Sequence, residues 1–340
     1  MPSIRPLLSL ILSLFLAAAC TAGATSSLPP LPAAGITEEP VVPAATATIE
    51  PIPTPAVVSI AGSDAPVPAA SPTPDMPAIL WAVGDAATCR SKKDDAVARF
   101  LAEQTGTIAL LGDVVYEKGT ATEFRRCFDP LYGTMRDRLR PAVGNHEYKT
   151  TKARGYFDYF GEAAGKPDEG WYSYNLGAWH IVVLNSNCDE VGGCDLNSPQ
   201  YRWLQQDLAS HPTVCTLAYW HHPRWSSGEH GSDDVMQDIW TLLAEQGVDV
   251  VLSGHDHDYE RFRPLDAHGH PAPHGGTVQF VVGTGGRSLR PLGDRLPTSA
   301  VATDATYGVL RLELSSDRYS WQFISIAGTP YEDSGSASCR

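Results

Sequence analysis

The chain is short of positive charge. Lys and Arg number 25 against 39 Asp and Glu, a formal net charge of −14 over 340 residues. No extended Lys/Arg run occurs, so the electrostatic footprint for a nucleic-acid backbone is missing. An acidic chain gives no long-range steering of anionic substrates, and attraction to a phosphate ester would have to be local, with bound cations as the obvious source. The apolar run Leu7–Leu16 is too short to span a bilayer as a mature helix. No Cys-x-x-C pair is present, which argues against a structural zinc knuckle. No repeat of the solenoid or propeller kind is present either.

The N-terminus carries a targeting pattern. Arg5 supplies a positive n-region, Leu7–Leu16 the apolar h-region, and Ala17-Ala18-Ala19 the small residues before Cys20. Two readings follow for residues 1–19 as a signal peptide. Leu16-Ala-Ala-Ala-Cys20 resembles a bacterial lipobox, in which Cys20 is lipidated and anchors the protein to a membrane. Plain Ala-x-Ala cleavage would release it. Both predict export to the extracytoplasmic side. Without Cys20, six cysteines remain, and an even set in an exported chain favours disulfides. Cys188 with Cys194 is the easiest local bridge. Cys89 with Cys127 is the next candidate, leaving Cys215 with Cys339.

Residues 20–77 are rich in Pro, Ala, Thr and Ser, contain no Lys, Arg or aromatic residue, and read as a disordered spacer. The texture changes at residue 78, and 78–340 reads as one catalytic domain. Ile79–Val83, Thr107–Leu111, Trp179–Leu184, Thr213–Tyr219 and Val248–Leu252 read as buried strands. Asp94–Glu103, Gln200–Ala209 and Asp233–Glu245 read as helices, with Asp94 and Asp233 at N-cap positions. Val278–Val282, Tyr307–Leu314 and Tyr319–Ile326 add strands near the C-terminus. The mix predicts an α/β sandwich with sheets packed together and helices outside.

Five apolar strands each end abruptly in side chains that can bind a metal. These are Gly84-Asp85, Gly112-Asp113, Gly144-Asn145-His146, Trp220-His221-His222 and Gly254-His255 with His257 two places on. Ligands collect at the carboxyl ends of strands in α/β sheets, so these tips can converge. Carboxylates neutralise charge, imidazoles give directional nitrogen ligands, and an amide oxygen fills a place without adding charge. One Asp between two ions can bridge them. Such a pair turns a shared water into a nucleophile and stabilises both oxygens of an in-line displacement, the chemistry that phosphoryl transfer needs.

In order, Gly84-Asp85, Gly112-Asp113-Val-Val-Tyr116, Gly144-Asn145-His146-Glu147, His221-His-Pro223 and Gly254-His255-Asp-His257 resemble the motifs of the calcineurin-like metallophosphoesterase superfamily. The similarity covers residues 78–327. Ala86 and Ala87 follow Asp85, so the histidine most members carry in the first motif is absent. Tyr116 lies three places after Asp113, as in the purple acid phosphatase branch, although Ala87 stands where that branch has glycine. The resemblance implies a four-layer α/β/β/α sandwich. It implies a first metal held by Asp85, Asp113, Tyr116 and His257, and a second held by Asp113, Asn145, His221 and His255. Fe(III) would pair with iron, zinc or manganese. His146 and His230 would contact the phosphate and protonate the leaving oxygen, a role suited to imidazole.

The expected activity is hydrolysis of small phosphate monoesters by attack of a metal-bound hydroxide. A phosphodiesterase on the same site and a non-catalytic binding module are the alternatives. Glu147 reads as support for a neighbouring group, and His222 as support or rim. His268, His270 and His274 read as a solvated loop. His180 and His211 have no motif and read as packing or surface residues. Trp171, Tyr172 and Tyr174 suit a strand face.

Overall fold

A computed structural model describes residues 76–340 of the protein. The signal segment 1–19, Cys20 and all of the 20–77 spacer except Met76 and Pro77 lie outside the described residues.

One sheet is built from β1 (Ala78–Val83), β3 (Thr107–Leu111), β5 (Leu139–Ala142), β13 (Thr306–Leu314), β14 (Arg318–Gly328) and β15 (Glu332–Ser338), in the order β15-β14-β13-β1-β3-β5. The other holds β6 (Tyr172–Leu176), β7 (Trp179–Val183), β8 (Cys215–Tyr219), β9 (Val250–Ser253), β10 (Tyr259–Phe262), β11 (Val278–Val282) and β12 (Ser299–Thr303), in the order β12-β10-β11-β9-β8-β7-β6. The short strands β2 (Ala87–Thr88) and β4 (Val115–Tyr116) pair separately in parallel.

The central strands, such as β1, β3 and β8, are largely apolar because both of their faces are covered. Side chains alternate across a strand, so β1 sends Leu80 and Ala82 between the sheets. Its Trp81 and Val83 point the other way, into the core shared with α1 (Lys93–Ala102) and the short helices α3 (Asp129–Tyr132) and α4 (Arg154–Phe160), whereas α2 (Ala121–Glu123) carries no buried residue. The second sheet repeats the arrangement. Ile181, Leu217 and Leu252 face inward, while Val182, Ala218 and Val251 meet α5 (Pro199–Ser210) and α6 (Gln237–Glu245). Three cores thus separate four layers, α/β/β/α.

Strand direction positions the site. β1, β3 and β5 run parallel, as do β7, β8, β9 and β11, so their carboxyl ends lie side by side. Gly84 N donates to Val282 O at 2.8 Å, which joins the ends of the two sheets.

Two expectations at helix starts change. Asp94 is not a cap: it lies inside α1, whose preceding residue Lys92 makes no side-chain capping bond. Its buried carboxylate instead accepts from Thr88 N at 2.8 Å, holding the loop after the first ligand strand. Asp233 does cap, through Val235 N at 2.9 Å, but the turn it starts is the short 3-10 segment Asp234–Met236 ahead of α6. Strands β10, β12 and β15 also lie outside the segments read from sequence.

The cysteines pair as Cys89–Cys127, Cys188–Cys194 and Cys215–Cys339. The last joins β8, an interior strand of its sheet, to Cys339 near the C-terminal end across a separation of 124 residues, whereas Cys188–Cys194 spans 6. Loop-closure entropy scales with the logarithm of loop length, giving about 5 kcal/mol for the long loop against about 2 for the short one. The double variant C215A/C339A is therefore expected to lose more thermal stability than C188A/C194A. Thermal unfolding followed by circular dichroism checks the ranking, and equal midpoints would contradict it.

Candidate metal centre

Asp85, Asp113 and His255 take left-handed backbone angles, with φ of 58°, 46° and 71°. Such angles are uncommon for residues with a side chain and persist only where the surroundings enforce them. Here each turns a strand end sharply, so that its side chain faces its neighbours instead of continuing along the sheet. The preceding glycines permit the approach. A Cβ on Gly112, itself at φ +82°, would lie 2.5 Å from His221 Nδ1. A Cβ on Gly144 would lie 2.2 Å from both the backbone N and Oδ1 of Asp113.

The seven candidate ligands form two adjoining groups. In the first, the Tyr116 hydroxyl donates to Asp85 Oδ1 at 2.6 Å, and His257 Nε2 lies 3.3 Å from each of those atoms. In the second, His221 Nε2 lies 3.0 Å from Asn145 Oδ1, 3.2 Å from His255 Nδ1 and 3.4 Å from Asp113 Oδ1. Asp85, Asp113 and His221 each bring one ligand atom within 4.8 Å of the others, which joins the two groups. Asp85 Oδ2 accepts from His255 N at 2.8 Å.

The donor set fits cations. His221 Nδ1 faces Leu111 O at 2.9 Å, and His257 Nδ1 faces Ser288 O at 2.7 Å. Each Nδ1 therefore carries the proton and each Nε2 turns a lone pair inward, as metal-ligating imidazoles do. The inward lone pair of His221 then meets the oxygens of Asn145 and Asp113, acceptor against acceptor, a contact that a cation resolves. The electrostatics of these side chains point the same way. Burial opposes charge on His221, yet the Asp113 carboxylate raises its pKa to about 9. Burial, Asp113 and Asp85 together push the Tyr116 phenol well above its usual value. Two buried carboxylates thus draw in positive charge, and the nearest proton takes a cation's place.

His146 and His230 lie at the edges of the two groups. The His146 ring packs on Tyr116 at 4.3 Å between centroids, and its Nδ1 faces Glu117 O at 2.7 Å, leaving Nε2 3.8 Å from Asp113 Oδ2. His230 is exposed and stacks on His255 at 4.4 Å, while its backbone N donates to Asp256 Oδ1 at 2.8 Å. Glu147 is fully buried and accepts from Val115 N at 3.3 Å and Gly144 N at 2.8 Å, tying two ligand loops together. Burial and Asp113 raise its pKa to about 8. His222 packs against His221 and His255, with Nδ1 on Ser186 Oγ at 2.8 Å. Burial and then the His221 charge lower its pKa to about 3.

His180 is buried and His211 lies at the surface, and they bracket Asp207, with His180 Nε2 2.7 Å and His211 Nδ1 3.4 Å from its carboxylate. His270 is exposed beside Asp266. A cleft of about 620 Å³ is lined by Phe157, Trp171, Trp203 and their neighbours and contains none of the centre's residues. Sequence reading missed the segment after β11. There Gly285 N donates to Gly84 O, Arg287 N to Asp85 O and Arg290 N to His257 O, at 3.0, 3.0 and 3.2 Å. The Arg287 guanidinium forms a two-pronged pair with Glu117 at 2.6 and 3.0 Å. The Gly283-Thr-Gly-Gly run directly after a buried strand was the available signal.

A four-layer sandwich that brings carboxylate, amide, imidazole and phenol side chains together at its strand ends is the scaffold of a two-metal protein. The chain belongs to the calcineurin-like phosphoesterase family, whose sequence profile matches residues 80–259. Purple acid phosphatase 18 of Arabidopsis thaliana is 29% identical over 168 residues, covering 47% of this chain and 37% of that protein. Purple acid phosphatase 15 of the same plant is 26% identical over 257 residues, covering 65% and 47%. The matches thus span less than half of either relative. The fold resembles a purple acid phosphatase from yellow lupin (Lupinus luteus) seeds, with a TM-score of 0.67 at 18% identity over 79% of this chain and 55% of that one.

Gly144→Ala tests how closely the centre is built. The added Cβ has no room beside Asp113, so the variant is expected to keep its far-ultraviolet circular dichroism and lose more than about half of its bound metal, as displaced ligand support costs roughly 10–100-fold in affinity. Elemental analysis of purified protein reads the outcome, and full occupancy would show that Asp113 tolerates the shift.

Proposed function

We propose that the protein is a dinuclear-metal hydrolase of phosphate monoesters, of purple acid phosphatase type. The observation that carries this reading is a set of inward-facing acceptor atoms around Asp113, with two imidazoles, His146 and His230, at the rim. Asp85, Asp113, Tyr116 and His257 would hold one ion, and Asp113, Asn145, His221 and His255 the other. Fe(III) suits the phenol-containing group, with iron, zinc or manganese in the second. Two such ions, when bound, would acidify a shared water and neutralise charge on the phosphoryl group.

The chain's own residues do the rest. Asp113 sets the spacing between the two groups. The Glu117 carbonyl fixes the ring of His146, so that Nε2 faces the centre. His146 and His230 would bind the phosphate and pass a proton to the leaving oxygen. Glu147 and Ser186 hold the loops and His222 in place. The full ligand set supports catalysis over a binding module. Three disulfides support an exported protein, with lipidation at Cys20 as one way of retaining it at a membrane.

Hydrolysis of p-nitrophenyl phosphate by the metal-loaded protein tests the reading. Asp113→Asn is expected to lower kcat/KM at least about a hundredfold, equivalent to about 2.7 kcal/mol, and to reduce metal content. Glu147→Gln should leave more metal bound. With iron present, a visible tyrosinate-to-iron absorption band is expected and should vanish in Tyr116→Phe. Full metal occupancy in Asp113→Asn would remove its bridging role, and an iron-loaded protein without the band would remove Tyr116 from the ligands.

A further inference from the structure

Three cations touch residues of the centre. Arg287 stacks over the Tyr116 ring at 4.7 Å, but both ends of its guanidinium are held by Glu117. Arg290 donates its backbone N to His257 O, and its side chain pairs with Glu229 at 2.7 Å. Each arginine is therefore balanced by a carboxylate. Lys149 differs. Its Nζ lies 3.0 Å from Nδ1 and 2.8 Å from Nε2 of His146, and no ion pair to a carboxylate involves it among the described residues.

The backbone that carries this ammonium is well defined. Lys149 N donates to His146 O and Thr150 N to Glu147 O, so the lysine rides on the tight turn that follows Asn145. Thr150 Oγ1 donates to Lys118 O at 2.7 Å, fixing the far side of that turn. The ammonium lies close to both ring nitrogens of His146, beside the Nε2 that faces Asp113. A donor in that place also reaches an oxygen that Nε2 itself contacts. Lys149 is exposed, so it can turn towards a ligand at no cost in buried contacts.

We infer that Lys149 is a substrate-contacting residue whose unbalanced charge selects dianionic phosphate monoesters over monoanionic diesters. The inference rests on the phosphoesterase reading above and names its substrate class. A monoester carries close to two negative charges at neutral pH and a diester one. One additional cation at the mouth of an otherwise acidic protein favours the ligand with the extra charge and the extra acceptor oxygen.

The test uses the metal-loaded full chain with p-nitrophenyl phosphate and bis(p-nitrophenyl) phosphate, which share a leaving group. Lys149→Gln is expected to raise KM for the monoester, and the inhibition constant of inorganic phosphate, on the order of tenfold, the worth of one charge-assisted hydrogen bond. Diester kcat/KM should fall by roughly threefold or less, because the diester lacks the second charge. Lys149→Arg should restore most of the monoester KM, with metal content the same in all three proteins. Equal losses on both esters, or an unchanged monoester KM and phosphate inhibition, would overturn the assignment. A metal-loaded wild type that cleaves neither ester would defeat the phosphoesterase reading instead. Calorimetric binding of inorganic phosphate to wild type and Lys149→Gln then still decides whether Lys149 holds the anion.

Discussion

Acceptor atoms are crowded together at one edge of the sandwich, and most of the local structure exists to hold them there. Oxygens of Asp85, Asp113 and Asn145 and inward nitrogens of His221, His255 and His257 repel one another unless positive charge lies among them. Left-handed backbone at Asp85, Asp113 and His255, the close glycines and the buried Glu147 are all arrangements that would be discarded if the edge did not have to be kept. The stability for this comes from elsewhere, from three apolar cores that bury strands on both faces and leave the strand ends free to be strained.

What was legible in the sequence follows from that division of labour. Strands such as Ile79–Val83 and Ile108–Leu111 are continuous apolar runs because both faces are covered, and runs of that kind are easy to see. Ligands stood out because each interrupts such a run. β15 was invisible for the opposite reason. Its sequence, Glu-Asp-Ser-Gly-Ser-Ala-Ser, has almost nothing to bury, and it is a strand only because its backbone pairs with β14 along a sheet edge. Asp94 was misread because an acid ahead of a helix looks the same whether it bonds to the helix's own amides or to a neighbouring loop.

The support around the centre was harder to read than the centre. Ser288 and Glu117 orient His257 and His146 through backbone carbonyls, which leave no trace in residue identity. Lys149 and Arg287 look like ordinary surface cations until their partners are known. One pairs with an imidazole and the other with a carboxylate, and no periodicity separates the two cases.

The segment after β11 has a consequence for how the chain comes to be assembled. Asp85 accepts from His255, 170 residues further on, and its own carbonyl accepts from Arg287. The family's matched core ends at residue 259, before that second contact can exist. A nascent chain therefore carries Asp85 for most of synthesis without His255 and Arg287, and the edge closes only after β11 has docked beside β9. Contacts so distant in sequence form slowly and late. Closure of that edge is thus an event of the finished chain, so any ion it takes up would be drawn from where folding ends rather than from where translation begins.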